Sequence, residues 1–482
     1  MFRLKPLNPL ADRDPKGFVT LDSRKAKPGV IFVASKGATP NSKDGHDFIQ
    51  QALSNNCSGL IIERTDIEIP THIPVWLAGN SRIAAAILSE QALGAPSKAL
   101  NLCGVTGTNG KTTVTFLLAS IANAFGRKAA VLGTLGSGPL DNLQYFGFTT
   151  PEAENISAYL KDLKDQHFEQ VAMEVSSHAL ATYRVDGLTF KAAAFTNLSQ
   201  DHLDFHGNLE NYLKAKARLF TELLPEDGVA VLPETSPLAP LHQVERGKTL
   251  HWGYTSNSDI EASDIKLSDY GIRFKLRIKN QTAEIKSPLF GRFNIDNMLC
   301  AAGLAYATEI PIEAIAAGLS QAVIPKGRLE RVSPSKPAVF VDFAHTPDAL
   351  SKTLQTLREI CKAKLIVVFG CGGDRDRTKR PLMTQIAAQY ADLTVITLDN
   401  PRHEKPEQII ADMSPLPNML VILEREKAIK HAIFTANPDD MILIAGKGHE
   451  TTQQIGDEYR PFDDAKIAHE VLLHRHQNPE TR

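Results

Sequence analysis

Residues 101–105, NLCGV, form a short apolar run that leads directly into Thr106-Gly107-Thr108-Asn109-Gly110-Lys111-Thr112-Thr113 and then into the apolar helical pattern VTFLLASIANAF. The order strand, glycine loop, lysine, hydroxyl, helix demands a parallel α/β sheet that delivers the loop to a helix N-terminus. Gly107 and Gly110 let backbone N–H groups wrap an anion, and the helix end adds partial positive charge. Lys111 can reach the β- and γ-phosphates and Thr112 can ligate Mg²⁺. Residues Gly107, Thr108, Asn109, Gly110, Lys111, Thr112 and Thr113 are therefore the expected ATP cradle. The spacing departs from the usual GxxxxGK[ST], since five residues separate Gly104 from Gly110 and two separate Gly107 from it; a merely structural turn is the alternative.

A chain of 482 residues exceeds one core, and about 100–200 residues per domain gives an expectation of three. Lys+Arg 53 against Asp+Glu 55 leaves a net charge of −2, which asks for neither nucleic acid nor an anionic membrane as partner. The five cysteines (Cys57, Cys103, Cys300, Cys361, Cys371) are scattered without CxxC pairing and read as buried thiols of a reducing compartment, with no structural zinc. The N-terminus MFRLKPLNPLADRDPKG has no signal-peptide core, and no run of about 18 apolar residues occurs, so a soluble cytoplasmic protein is expected.

Apolar runs flanked by glycine recur at 30–34, 59–62, 128–133, 171–175 and 192–198, the pattern of parallel sheets. Those at 364–370, 393–398 and 441–446 alternate with helical segments and read as a separate doubly wound C-terminal domain. In Gly271–Lys279 apolar and basic residues alternate strictly, the mark of a half-exposed antiparallel strand; the basic stripe reads as the solvated face of an edge strand, not a nucleic-acid surface. Linkers at 94–98 and 324–327 divide the chain into 1–98, 99–327 and 328–482.

GTNGKTT, together with further segments, resembles the Mur ligase superfamily, ATP-dependent amide-forming enzymes of peptidoglycan assembly, with folylpolyglutamate synthetases as relatives. The segments include Asp22-Ser23-Arg24, Thr149-Thr150-Pro151-Glu152, Met173 to His178, Asn197 to His206, Tyr212 to Lys216, Gly291 to Asn297 and Asp342 to Asp348. They continue with Gly373 to Asp376, Asp399-Asn400-Pro401-Arg402 and Gly446 to Glu450, all in family order from about residue 22 to 464. The resemblance implies a three-domain α/β protein: a UDP-binding N-terminal domain, a central P-loop ATPase-like parallel sheet with a small antiparallel sheet, and a Rossmann-like C-terminal domain. It also implies small-molecule substrates, no nucleic acid or membrane partner, and a monomer.

Glu174 closes the apolar strand VAMEV at the carboxyl edge of the sheet, where α/β ligand sites lie, and could hold Mg²⁺ beside Thr112; an ordinary strand-end carboxylate is the bland alternative. The resemblance assigns Glu174 to the metal, His202 to a second Mg²⁺, and Ser23, Thr149, Thr150, Ser176 and Arg184 to a UDP-muramoyl dipeptide. It makes Lys216 a carbamylated lysine, formed from CO₂ and able to support the metal region; from its helix alone Lys216 reads as solvated. A neutral amine is needed, so burial must lower its pKa, and the Y-x-x-A-K register selects it over Lys214. Asn294 and Asn297 begin a helical pattern, where a cap suffices to explain Asn294, whereas in the family both face adenine. Arg328 and His345 resemble residues that complete the ATP site.

In the last domain Arg402 of DNPR can clamp a carboxylate bidentately, and meso-diaminopimelate differs from lysine by one distal carboxylate. Arg375, Asp399, Asn400, Pro401, Gly446 and Glu450 match the rest of that pocket. The resemblance implies a reaction that joins meso-diaminopimelate to the D-glutamate side chain of UDP-N-acetylmuramoyl-L-Ala-D-Glu through an acyl phosphate, with Lys111, Glu174, His202, Lys216 and His345 catalytic. A lysine-adding ligase is the near alternative and folylpolyglutamate synthetase a more distant one; from a different class comes a P-loop ATPase or regulatory nucleotide-binding protein without ligase chemistry.

Overall fold

The computed structural model describes residues 3–11, 14–37, 42–145, 147–238, 248–268 and 270–477. The chain divides into two compact units, one of residues 1–263, 275–285 and 296–323, the other of 264–274, 286–295 and 324–482.

The apolar runs become strands as the sequence leads one to expect. In the first unit Val30–Val33, Gly59–Ile62 and Val75–Ala78 pair in parallel, with Phe18–Thr20 on one edge and the antiparallel Leu4–Pro6 on the other. The helix Ser81–Ala92, capped by the Asn80 side chain, covers one face of that sheet. A ten-stranded sheet follows, in which Asn101–Thr106 lies between Gln170–Glu174 and Ala192–Phe195, parallel to both. These three central strands are buried on both faces, and Leu102, Val171, Met173, Phe190, Ala193 and Phe195 share one apolar cluster, so the loop after Thr106 leaves a rigid base.

The alternating segment forms the strand Gly271–Ile278, with Ile272, Phe274, Leu276 and Ile278 buried and Arg273 and Lys275 exposed. The half-exposed reading holds, but the edge assignment does not: the strand lies between Ile260–Ser268 and Gln281–Ser287. Alternation reports which face is wet, not how many neighbours a strand has.

In the second unit Ala338–Asp342, Met441–Ala445, Leu365–Phe369 and Leu393–Ile396 are parallel neighbours in a six-stranded sheet. Apolar clusters fill both of its faces, the arrangement of a doubly wound domain. The carboxyl ends of Leu365–Phe369, Leu393–Ile396 and Met441–Ala445 lie side by side, so the loops starting at 370, 397 and 446 emerge together. All five cysteines are free and buried. Among the described residues no helix is long and apolar enough to cross a membrane.

Candidate active site

The phosphate loop is shaped from below by the 196–199 segment. Asn197 accepts the Thr108 N–H on its carbonyl at 2.9 Å and the Asn109 N–H on its side chain at 3.0 Å, while Thr196 Oγ1 donates to the Asn109 carbonyl at 2.6 Å. Ser199 N–H donates to Thr108 Oγ1. Gly107 has φ +143° and a methyl there would lie 1.9 Å from Thr196 Oγ1; Gly110 has φ +88° and a methyl would lie 2.2 Å from Asn297 Oδ1. Both glycines are thus required by conformation and by space. The signal in the sequence for Thr196, Asn197 and Ser199 is the polar run immediately after an apolar strand.

Lys111 begins the helix Lys111–Ala124, and its Nζ donates to the Gly107 and Thr108 carbonyls at 3.0 and 2.8 Å. The Lys216 Nζ donates to the same Gly107 carbonyl at 2.8 Å. Lys216 is 1% exposed, so the solvated-helix reading fails, whereas Lys214 is exposed and pairs with Glu210 at 2.7 Å. Burial first, and the nearby Lys111 charge second, hold the Lys216 amine well below the usual lysine range. Tyr212 lies 4.3 Å from Lys216 Nζ by its ring centroid and donates its hydroxyl to Thr108 Oγ1 at 3.3 Å; burial pushes its phenol up to about 12.

Glu174 is the hub of a second cluster. Its Oε1 accepts from Thr112 Oγ1 at 2.9 Å and from the Thr134 N–H at 2.9 Å, and its Oε2 accepts from Thr134 Oγ1 at 3.1 Å. Thr134 Oγ1 also bonds Thr149 Oγ1 at 3.0 Å. Thr150 Oγ1 donates to the Glu174 carbonyl and accepts the Ser176 N–H, and Arg184 donates to the Thr150 carbonyl at 2.8 Å and pairs with Glu152 at 3.0 Å. Thr112, Thr149, Thr150, Glu174, Ser176 and Arg184 are thereby brought together. Ser176 itself caps the helix Ser177–Ala181.

A carboxylate and a hydroxyl are hard oxygen donors suited to Mg²⁺, which keeps several waters, so Glu174 and Thr112 fit that ion. Among the described residues no group of three or more His, Cys, Asp or Glu side chains is gathered for a metal. His202, at φ +53°, packs edge-on to His178 at 4.7 Å and lies 3.4 Å from Asp201. The Asp204 side chain of the same motif lies outside the described set. Ser23 is buried, donating to Gln51 Oε1 at 2.6 Å, while Asp22 and Arg24 pair with each other. Asn297 stands over Gly110.

In the second unit Asn294 sits inside the first turn of Arg292–Ala307 and donates to the Phe290 carbonyl at 2.7 Å. The helix starts two residues before it, so the capping reading is wrong for Asn294. Arg328 lies over the Phe343 ring, 5.1 Å from its centroid, and His345 packs edge-on to the same ring at 4.6 Å.

The pocket at the strand ends gathers Asp399, Asn400, Pro401, Arg402, Gly446 and Glu450. Asp399 and Asn400 are buried, and burial pushes the Asp399 carboxyl up despite Arg425 and Lys447 nearby. A methyl on Gly446, at φ +115°, would lie 2.6 Å from Asp399 Oδ2. Asn400 Nδ2 donates to Glu450 Oε2 at 2.9 Å. Arg402 is half-buried, with Nη1 on the Gly373 carbonyl at 2.8 Å, and its backbone is held by Gln454 and Gly456. Arg375 is exposed on the neighbouring loop. The pocket therefore offers a guanidinium, an amide and a carboxylate, groups able to take both ends of a zwitterion.

Residues 105–305 match the Mur ligase middle domain and residues 327–448 the Mur ligase, glutamate ligase domain. A relative from Geobacillus kaustophilus, named UDP-N-acetylmuramoyl-L-alanyl-D-glutamate–2,6-diaminopimelate ligase, is 40% identical over 94% of each chain. One of the same name from Syntrophomonas wolfei is 40% identical over 96% of this chain and 95% of its own. A solved structure of that name superposes with a TM-score of 0.73 at 34% identity, covering 96% of each chain. MurF from Thermotoga maritima in complex with ADP, at 18% identity and a TM-score of 0.61 over 95% of this chain and 96% of its own, shares the fold.

Proposed function

The chain belongs to the Mur ligase family, ATP-dependent ligases that form an amide bond, and from that premise we infer that it joins meso-diaminopimelate to the D-glutamate side-chain carboxylate of UDP-N-acetylmuramoyl-L-alanyl-D-glutamate. The observation that carries this reading is identity of about 40% across nearly the full length of relatives named for that reaction. The pocket holding Arg402, Asn400 and Glu450 supports it, because a guanidinium at one end is what a distal carboxylate needs.

Residues 1–98 bind the UDP-sugar, 99–327 bind ATP and carry the ligase chemistry, and 328–482 select the amino acid. ATP is assigned to residues 107–113 and Asn297, and Asn294 and Arg328 are assigned to the nucleotide as the resemblance implies. The dipeptide end of the acceptor lies against Thr149, Thr150, Ser176 and Arg184, and Ser23 serves the nucleotide end. Mg²⁺ held by Thr112 and Glu174, with His202 and Lys216 serving a second ion, would neutralise charge on the transferred phosphoryl oxygens.

Lys111 leaves its own loop carbonyls to meet the phosphates. The glutamate side-chain carboxylate attacks the γ-phosphorus, the bond to ADP breaks, and an acyl phosphate results. Glu450 holds the ammonium at one end of diaminopimelate; the amine at the other end, deprotonated, attacks the acyl carbon, and as the tetrahedral intermediate collapses phosphate leaves and the new amide nitrogen gives up its extra proton to solvent. Lys216, buried and with its amine pKa lowered, attacks CO₂ as a neutral amine and loses a proton to give a carbamate. His345 acts at the phosphoryl-transfer centre. The protein works as a cytoplasmic monomer on small molecules only.

The test is product mass. Incubation with ATP, the UDP-muramoyl dipeptide and meso-diaminopimelate is expected to give ADP and a nucleotide tripeptide heavier by one diaminopimeloyl residue. Turnover of ATP with no such product would remove the ligase reading in favour of a P-loop ATPase.

A further inference from the structure

We propose that Lys447 is a positioning residue of the amine-acceptor pocket, a buried ammonium that fixes the Glu450 carboxylate and the Asn400 amide in the orientation that receives the incoming amino acid; this rests on the pocket reading above. Lys447 is fully buried, and its Nζ donates to Asn400 Oδ1 at 3.0 Å and to Glu450 Oε2 at 2.9 Å. The Gln454 N–H donates to the same Asn400 Oδ1 at 2.9 Å. Two donors on one atom identify it as the amide oxygen, so the amide nitrogen must face Glu450, where it meets Oε2 at 2.9 Å.

Glu450 Oε2 is therefore taken by two donors from within the protein. Oε1 makes no hydrogen bond among the described residues, and the side chain is 35% exposed, so this oxygen remains for a ligand ammonium. The loop geometry reinforces the arrangement: the Glu450 N–H donates to the Lys447 carbonyl at 3.0 Å, so the ammonium and the carboxylate it fixes sit on one turn. Removing the amine leaves a half-buried carboxylate oxygen with one donor fewer and the Asn400 oxygen held by the Gln454 N–H alone, which loosens both groups at once.

Burial alone would push the Glu450 carboxyl up; the hydrogen bond and charge of Lys447, with the Asn400 amide, outweigh it and hold the group below its ordinary range. The other charged groups acting on Glu450 are His449 beside it and Asp399 and Arg425 behind the pocket. Without Lys447 the carboxyl titrates higher, so binding of an ammonium is lost at a higher pH as acid is added.

The experiment compares the wild type with Lys447→Met and Lys447→Arg by steady-state kinetics in each substrate. Lys447→Met is expected to raise KM for meso-diaminopimelate by about 10-fold or more, leaving KM for ATP within about twofold. The acid limb of the diaminopimelate KM profile should move to higher pH in Lys447→Met and return toward wild type in Lys447→Arg. If Lys447→Met is too unstable to purify, Lys447→Gln takes its place against Lys447→Arg. An unchanged diaminopimelate KM and acid limb in the neutral variant, or a rise shared equally by ATP, overturns the assignment. No diaminopimelate-dependent turnover in the wild type itself would instead withdraw the function on which it rests.

Discussion

The Nζ of Lys216 donates a 2.8 Å hydrogen bond to the carbonyl of Gly107, the first glycine of the phosphate loop, and Lys111 donates to that same carbonyl at 3.0 Å. Two lysine amines on one acceptor, one of them buried, are tolerable only if one is readily neutral. Lys216→Met is therefore expected to abolish ligase turnover by at least about 100-fold while leaving the melting temperature unchanged or raised, since an apolar group replaces a poorly solvated amine. Calorimetry alongside turnover checks both halves.

The same lysine predicts a pH dependence. Its folded pKa lies below the unfolded value, so between the two the unfolded chain binds the extra proton and stability rises with pH. The neutral amine needed for carbamate formation is lost as pH falls through the lowered folded value. Activity in CO₂-depleted buffer should recover on adding bicarbonate, and the recovery should fail at acid pH; an enzyme indifferent to bicarbonate would argue against the carbamate.

Gly107→Ala should damage nucleotide binding through shape alone, because the methyl would collide with Thr196 Oγ1 at a φ that disfavours side chains. A strain of about 1–3 kcal/mol predicts weaker ADP binding by roughly 5- to 150-fold, measured by titration calorimetry. Thr196→Ala in the same background removes the obstructing oxygen and should restore part of the loss.

Glu174→Gln keeps an oxygen for the Thr134 N–H but removes the charge. The fold should persist, with the Mg²⁺ concentration for half-maximal activity raised about 10-fold or more. A Mg²⁺ titration of both proteins reads this directly.

Arg425 and Asp464 form a fully buried pair, 2.7 Å apart, and Arg425 also donates to the Ala445 carbonyl at the strand end beside Gly446. Asp464→Ala leaves a buried guanidinium uncompensated and should cost about 3–5 kcal/mol, seen as a lower urea midpoint.

Much of this was legible from residues alone. The strand, loop and helix at 101–124 follow from local order, and the C-terminal strands from their uninterrupted apolar runs. The role of 196–199 beneath the phosphate loop was not, because neighbouring strands bring together residues some 90 apart in the chain. Burial of Lys216 followed only from the carbamate that the resemblance implies, since a helix pattern cannot say that its polar face is covered by another loop. The interior position of Gly271–Ile278 was missed for the same reason: sheet order is a long-range property. The Asn294 cap failed by two residues, the ordinary error at a helix end.

The amine pocket is where the account stands or falls. Phosphate release should be measured with ATP and the UDP-muramoyl dipeptide, in parallel reactions containing meso-diaminopimelate, L-lysine or no amine. A site built around the Arg402 guanidinium predicts rapid release with diaminopimelate and kcat/KM for lysine lower by a factor on the order of 10³ or more. Equal release with both amines would contradict the role of Arg402 and favour a lysine-tolerant ligase.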